Sequence, residues 1–518
     1  MYFNDIYRDF RMGIPSYFSY IIKNYTNIIR KLKNCETLHH LFMDCNSIIY
    51  DSYYELEEIY KKNPFDVSTI EHMMIQKVIE KIEYYISYIS PLKSVYITFD
   101  GVAPFAKMNQ QRIRRYKTAF MSQISSTKKI WNTSYITPGT KFMKMLSNTM
   151  YSHFLNKKSE IKIMLSCSDE NGEGEHKIFK LIRDNDYSTD NIAIYGLDSD
   201  LIMLSIFHKK YTKNIYVFRE APNFKSVISS SFDKNENLFM DIDKLCNCIR
   251  SEMNNGKTND SCIYDYVFMC FFLGNDFLPH FPSLNLRTRG FQILLDTYFN
   301  IIGKYSDRCF IYNGKIQWKW VYLFINDIAK NERQYILNEY FLRDKMDNRR
   351  WSSNTPEEIE QMITNIPIIL RQDEKYICPQ EDGWEKRYYK VLFEIIPTKE
   401  NVKKICKNYV KGLEWVFNYY TSDCVDWKYE NEEKAPLMKD IKEVLKYKGT
   451  EEEVFNKEES YRSETQLAYV LPKEKECELK WCFVRYLWES SVKLVKIEKK
   501  ELMEIERIIY HEGECGRD

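Results

Sequence analysis

No apolar run in this 518-residue chain approaches the roughly 20 residues a helix needs to span a bilayer; the longest, around Val267–Leu273, is core-sized. A membrane-spanning reading is therefore dropped. The first residues, Met1-Tyr2-Phe3-Asn4-Asp5, lack the basic-then-apolar order of a secretory signal, so an intracellular product is expected. Charge of one sign is missing too: 75 Lys and Arg face 74 Asp and Glu, a net charge of +1, which removes any global pull toward nucleic acid and leaves only local patches to supply one. The 14 cysteines contain no C-x-x-C pair, and an intracellular chain keeps them reduced, so a disulfide framework is not expected. Cys246 and Cys248, with Cys262 beyond them, lack the second close pair a closed zinc site wants. Gly and Pro are few and Tyr, Ile, Asn and Lys many, a bias read as compositional.

What is present is 44% hydrophobic and 15% aromatic residues, ample for a large core, under a surface with 29% charged residues overall. The length exceeds one ordinary domain and suits two or three packed units. The first half alternates short apolar runs with helical patterns, the signature of an α/β unit on a largely parallel sheet. Three runs matter most. Leu41-Phe42-Met43 ends in Asp44, Val95–Phe99 ends in Asp100, and Ile192–Leu197 ends in Asp198 with Asp200 two residues on. Open α/β sheets place their sites outside the C-terminal strand ends, so three strands delivering acids there describe a shared acidic site. A single Asp after a strand is more often a turn residue; the set is not.

Two further segments extend the cluster. Asp169–Lys177 leads into a helical pattern, putting Glu173 and Glu175 at a helix start, where ordinary capping would also suffice. The apolar run Val267–Leu273 stops abruptly at Gly274-Asn275-Asp276. Asp44, Asp100, Glu173, Glu175, Asp198, Asp200 and Asp276 together carry more negative charge than one pocket holds without cations, and Mg2+ or Mn2+ suits such oxygen ligands. Two such ions ~4 Å apart can activate a water and stabilise the leaving oxygen in an attack on phosphorus, so the cluster points to phosphodiester hydrolysis.

A basic element follows the second acid. After the turn Gly101–Pro104, the stretch Lys107–Lys117 reads as a helix with Lys107, Gln111, Arg114 and Arg115 on one face. Two guanidiniums, an ammonium and an amide suit a terminal phosphate; a solvated basic stripe is the bland alternative, and the adjacency to Asp100 weighs against it.

Read together, MGIPSYFSYI from Met12, DCNSIIY from Asp44, FDGVAPFAKMNQQRIRR from Phe99, ITPGTKFM from Ile136, SDENGEGEHKIF from Ser168, IYGLDSDLIML from Ile194 and GNDFLPH from Gly274 resemble the family of 5′→3′ exoribonucleases that degrade RNA bearing a 5′ monophosphate. YVKGLEWVFNYY from Tyr409 and ETQLAYVLP from Glu464 resemble that family's second conserved region. The resemblance implies that the seven acids hold metal and that Lys107, Gln111, Arg114 and Arg115 form the 5′-phosphate pocket. It also implies an aromatic pair around the first base: Tyr50, where the family usually has histidine, and Trp427, with Tyr429 as second choice. Eleven residues precede the Met12 at which the family normally begins, and the long C-terminal domains and zinc knuckle of some members are not seen.

The expected architecture is α/β, a mostly parallel central sheet flanked by helices of the PIN and flap-nuclease type, with a mainly helical second region packed against it. Its expected parts are a catalytic unit over 1–300, a helical connection over 301–375 and a second conserved region over 376–518. Residues 429–460, rich in Glu and Lys, are expected to be a solvated loop or exposed helix. The expected function is processive, metal-dependent 5′→3′ degradation of 5′-monophosphorylated single-stranded RNA to nucleoside 5′-monophosphates, using two Mg2+ or Mn2+ ions. A structure-specific flap endonuclease and an inactive RNA-binding scaffold are the alternatives. Decapping or RNA-processing factors are candidate partners, a monomer without membrane contact is favoured, and the cytoplasm is preferred over the nucleus because no basic targeting cluster stands out.

Overall fold

The computed structural model describes residues 17–471 except 26, 125–128, 157–158, 197, 221–236, 255–260, 348–354, 356–357, 359–370, 431–433 and 450–452. Residues 12–16 of the first quoted motif, the eleven residues before it and the end of the expected second region lie outside the described residues.

Among the described residues, seven strands form one sheet: β1 Ile29–Arg30, β2 His40–Asp44, β3 Ser94–Thr98, β4 Lys162–Ser166, β5 Tyr187–Tyr195, β6 Thr212–Glu220 and β7 Asn237–Asp241. Their spatial order is β1-β7-β6-β5-β2-β3-β4. The five strands β4-β3-β2-β5-β6 are parallel, and β7 and β1 close one edge antiparallel. The chain builds outward from β2 to β3 and β4, then returns to β5 on the other side of β2. That reversal opens a crevice at the C-terminal ends of β2 and β5, where ligands bind in such sheets.

Alternation along the strands divides the core in two. Leu41, Met43, Val95, Ile97, Ala193 and Tyr195 face a layer holding α2 Asn46–Lys62, α3 Ile70–Ile89 and α5 Lys141–Leu155. Phe42, Ile192, Ile194, Ile215 and Val217 face the other layer, with α1 Tyr17–Asn24, α6 Gly174–Asp184, α7 Ser199–His208, α8 Ile242–Asn254 and α9 Ser261–Cys270. Helix α4, Phe105–Ile124, runs off the end of β3. Side chains from both sheet faces are buried because the strands read as near-continuous apolar runs, as parallel strands do. The architecture is thus the α/β one the sequence implied: a mostly parallel sheet flanked by helices, and after it a mainly helical region.

That later region shares the second core layer. The helix Lys399–Thr421 starts at Thr398, whose hydroxyl accepts from Asn401 N at 3.2 Å, and buries Tyr409, Leu413, Trp415, Val416 and Tyr420 in the cluster that holds α7 and α9. Residues 429–460 differ from the solvated segment expected. They include a helix, Met438–Leu445, whose Met438, Ile441 and Leu445 are buried at i, i+3 and i+7. Its first amides donate to Glu332, from Met438 N at 2.7 Å and Lys439 N at 3.0 Å, so a distant carboxylate caps it. The abundant Glu and Lys hid a narrow apolar stripe. Among the described residues, no helix is long and apolar enough to cross a membrane.

Candidate active site

Six of the seven acids arrive from a strand end or a helix start, and the seventh from the turn after a helix. Asp44 is the last residue of β2, and Asp100 lies two residues beyond β3. Glu173 and Asp198 are the N-cap residues of α6 and α7, and Glu175 and Asp200 follow two positions later in the first turns. Asp276 follows the short 3-10 turn Phe271–Leu273 after α9. The capping explanation fails for both helices, since neither Glu173 nor Asp198 makes a side-chain capping bond. Their carboxylates turn instead toward the crevice, while Asp100 Oδ1 accepts the Gly174 amide at 2.7 Å. Glycine is required there: a Cβ on Gly174 would lie 2.5 Å from Asp44 Oδ1 and 3.0 Å from Thr98 Oγ1.

Two polar side chains outside the acid set lock the rim. Asn46, opening α2, donates from its amide side chain to Asp100, accepts the Asp100 backbone N–H at 3.2 Å, and gives its own backbone N–H to Asp44 at 3.5 Å. Lys177 on α6 donates 2.8 Å bonds to the carbonyls of Phe99 and Cys167, pinning the helix to the ends of β3 and β4, and burial lowers its ammonium to about 8.

Two groups of donors stand close enough to share an ion: Asp44, Glu175 and Asp198, and Glu173, Glu175 and His176, with the ligand atoms of each group within 4.8 Å of one another. Glu175 belongs to both. The crowding is visible in proton affinity. Burial, then Asp100 and Asp198, push the Asp44 carboxyl well above its ordinary range. Burial and Glu173 do the same to Glu175, and burial and Asp276 to Asp200. Burial raises Asp198 to about 6 and raises Glu173 against the opposing pull of Lys107. His176 is held neutral by burial and by Lys107. Among the described residues, Asp200 Oδ1 is buried and accepts no hydrogen bond. Crowded, buried oxygens of hard character, one of them without a donor, fit a divalent cation such as Mg2+ or Mn2+.

Lys107 stands inside this group. Only 2% exposed, its Nζ lies 2.8 Å from Glu173 and bonds Asp276, which also accepts from Gln110 at 2.7 Å. Burial alone would lower its ammonium; Asp276 and Glu173 hold it well above the usual lysine value. The basic face predicted on α4 forms, but its members are engaged differently. Gln111 accepts from Gln466 at 3.1 Å, and Gln466 accepts the Ala103 amide at 3.0 Å. Arg115 donates to Ile136 O at 2.9 Å and lies beside the Tyr50 phenol, and among the described residues its buried Nε has no acceptor. Arg114 is half-buried and near enough to pull Asp198 downward.

Of the aromatics, Tyr50 is half-buried on α2 against Arg115. Trp427 is half-buried, with its carbonyl accepting the Phe105 amide at the start of α4 at 2.8 Å. It borders an open cleft of about 560 Å³ with Asn171, Cys424, Lys457, Glu458 and Ser460. Tyr429, the second choice, is buried and stacked on Trp415 at 5.7 Å, so it is core. Sequence reasoning missed two phenols. Tyr419 donates to Glu173 Oε2 at 3.0 Å, and the buried Tyr420 phenol neighbours Asp200. Both lie at the end of the YVKGLEWVFNYY segment, whose paired tyrosines were the available signal.

Comparison with known proteins bears on this geometry. The curated 5′-3′ exoribonuclease 2 homolog of Drosophila melanogaster is 26% identical over 554 residues, covering 81% of this chain and 60% of the relative. The 5′-3′ exoribonuclease 1 of Saccharomyces cerevisiae is 28% identical over 410 residues, covering 71% of this chain and 26% of the relative. The chain thus spans less than two thirds of either relative. A solved structure of the catalytic core of Rad2 in complex with DNA substrate is similar over 72% of this chain and 86% of that one, at 14% identity and a TM-score of 0.33. Residues 12–221 match the family model described as the XRN 5′-3′ exonuclease N-terminus, and residues 255–378 and 370–506 match the Xrn1 helical domain. Matched in both its parts over most of its length, the chain belongs to the XRN family of 5′→3′ exonucleases.

Proposed function

We propose that the chain is a metal-dependent, processive 5′→3′ exoribonuclease that converts 5′-monophosphorylated single-stranded RNA to nucleoside 5′-monophosphates. The observation that carries the reading is the convergence of Asp44, Glu175 and Asp198 within 4.8 Å of one another at the switch point of the sheet. Asp44, Glu175 and Asp198 would hold one cation, and Glu173, Glu175 and His176 are the second candidate set, with Asp100, Asp200 and Asp276 on the margin. Bound Mg2+ or Mn2+, two ions in this reading, would neutralise the carboxylates, lower the pKa of a water nucleophile and stabilise the leaving oxygen.

The chain's own residues do the rest. Lys107, Gln111, Arg114 and Arg115 receive the 5′-terminal phosphate through charge-assisted hydrogen bonds, and a pocket sized for a monophosphate would exclude a triphosphate or cap. Lys107 belongs to the phosphate face of α4 with its Nζ on Glu173 and Asp276, so it would tie the register of the terminal phosphate to the reacting bond. Tyr50 and Trp427 hold the first base by stacking, which tolerates any sequence. The names of the exoribonuclease relatives support RNA as substrate. Further parts of the proposal are the division at about 300 and 375, a monomer working inside the cell, in the cytoplasm by preference, and decapping or RNA-processing partners.

The test is incubation of the purified chain with Mg2+ and end-labelled RNAs that differ only at the 5′ end. Mononucleotide release from the 5′-monophosphate RNA and little from the 5′-hydroxyl RNA is expected. Oligonucleotide release from branched DNA would favour the flap-endonuclease alternative, and binding without cleavage the scaffold alternative.

A further inference from the structure

The helix Lys399–Thr421 ends against the acids with two adjacent tyrosines, Tyr419 and Tyr420. Neighbours on a helix point about 100° apart, so the two side chains address different targets. Tyr419 takes Glu173, whose other oxygen holds Lys107. The Tyr420 phenol neighbours Asp200, whose Oδ1 is buried and has no donor among the described residues. The two carboxylates belong to the starts of different helices, α6 and α7, and both phenols are buried, at 2% and 1% exposure.

Neither ring can adapt. Tyr419 is sandwiched between His176, at 3.7 Å and 22°, and Trp415, at 5.1 Å and 25°, and Trp415 in turn stacks on Tyr429. Tyr420 packs edge-on against Phe271 at 5.1 Å and against Phe277, the residue after Asp276. A phenol on a rigid stack fixes one oxygen of its carboxylate in direction and leaves the other to be presented. Outer donors of this kind orient metal ligands, and their loss commonly reduces metal affinity about 10- to 100-fold.

We propose that Tyr419 and Tyr420 are positioning residues through which the C-terminal helical region orients Glu173 and Asp200 for divalent cations. The proposal rests on the cation reading above and adds that the acids delivered by the sheet are incomplete without this helix. It makes the helical region part of the cation site and not merely a cover for it.

The test uses the full chain and Mn2+. Titration calorimetry and Mn2+ paramagnetic resonance are run on the wild type, Tyr419→Phe, Tyr420→Phe and Tyr409→Phe. Tyr409 lies on the same helix, is as deeply buried, and donates to Pro279 O at 2.9 Å, away from the acids. Tyr419→Phe and Tyr420→Phe should each weaken Mn2+ binding about tenfold and raise the Mn2+ concentration needed for half-maximal hydrolysis, with the KM for RNA unchanged; Tyr409→Phe should bind as wild type. Melting in chelator reports packing separately, and the titration is read on the folded fraction. Wild-type affinity in Tyr419→Phe and Tyr420→Phe, or equal weakening by Tyr409→Phe, overturns the proposal. A wild type that binds no Mn2+ overturns the cation reading itself and this inference with it.

Discussion

His40 and Ser94 open β2 and β3, and Asp190 lies in the first half of β5; at or just beyond the C-terminal ends of the same strands lie Asp44, Asp100 and Asp198. Both sets are largely buried. In the first, His40 bonds Ser94 at 2.7 Å and Asp190 at 3.0 Å, and Lys93 reaches both Asp190 oxygens at 2.7 and 2.8 Å. Burial would raise the Asp190 carboxyl, but Lys93 and His40 bring it down to about 2. Around the second set, which Glu173, Glu175, Asp200 and Asp276 join, the carboxylates outnumber their cations, and five of the seven are raised. The same strands therefore carry one polar cluster that closes on itself and one that does not. A buried cluster that satisfies its own charge is a structural clasp; one that is left in excess is waiting for a cation from outside.

The contrast can be broken most severely at Asp198. Asp198→Asn should lower hydrolysis more than about 10³-fold while the melting temperature in chelator holds or rises, because a crowded charge is removed. Unfolding instead would make the acid end structural and erase the difference. Arg115→Ala should cost about 10- to 100-fold on 5′-monophosphate RNA, the worth of a charge-assisted hydrogen bond or two, and little on 5′-hydroxyl RNA; kinetics on the two substrates check this. Equal losses would detach the basic face from the acids.

The opposite end should respond in the opposite sense. Asp190→Ala should destabilise by about 1 to 3 kcal/mol, measured by denaturant unfolding, with the rate per folded molecule within twofold of wild type. Acid titration sharpens this further. Because Asp190 is depressed to about 2, its contribution to stability is fully present above its ordinary range near 4 and is lost as pH falls toward 2. Melting curves between pH 5 and 2 should fall less steeply for Asp190→Asn than for wild type; parallel curves would mean that Lys93 and His40 do not hold it.

The acid end was legible because local order suffices: an apolar run followed by Asp is a strand delivering a carboxylate, and i, i+4, i+7, i+8 spacing placed Lys107, Gln111, Arg114 and Arg115 on one helix face without tertiary knowledge. What escaped depends on pairing across the chain. Nothing near Lys107 announces that it engages Asp276, 169 residues away, nor that Tyr419 meets Glu173 across 246. The His40–Asp190 clasp was hidden for the same reason, since it joins two strands 150 residues apart. The helix Met438–Leu445 was obscured differently: three buried apolar residues suffice to dock a short helix, and composition averages them away.

The most direct measurement is an anomalous difference map from crystals of the chain grown with Mn2+. The account predicts a strong peak bounded by Asp44, Glu175 and Asp198, lost in Asp198→Asn crystals, and no peak at Asp190. Manganese found only at surface carboxylates, with the strand-end acids left to Lys107 alone, would contradict it.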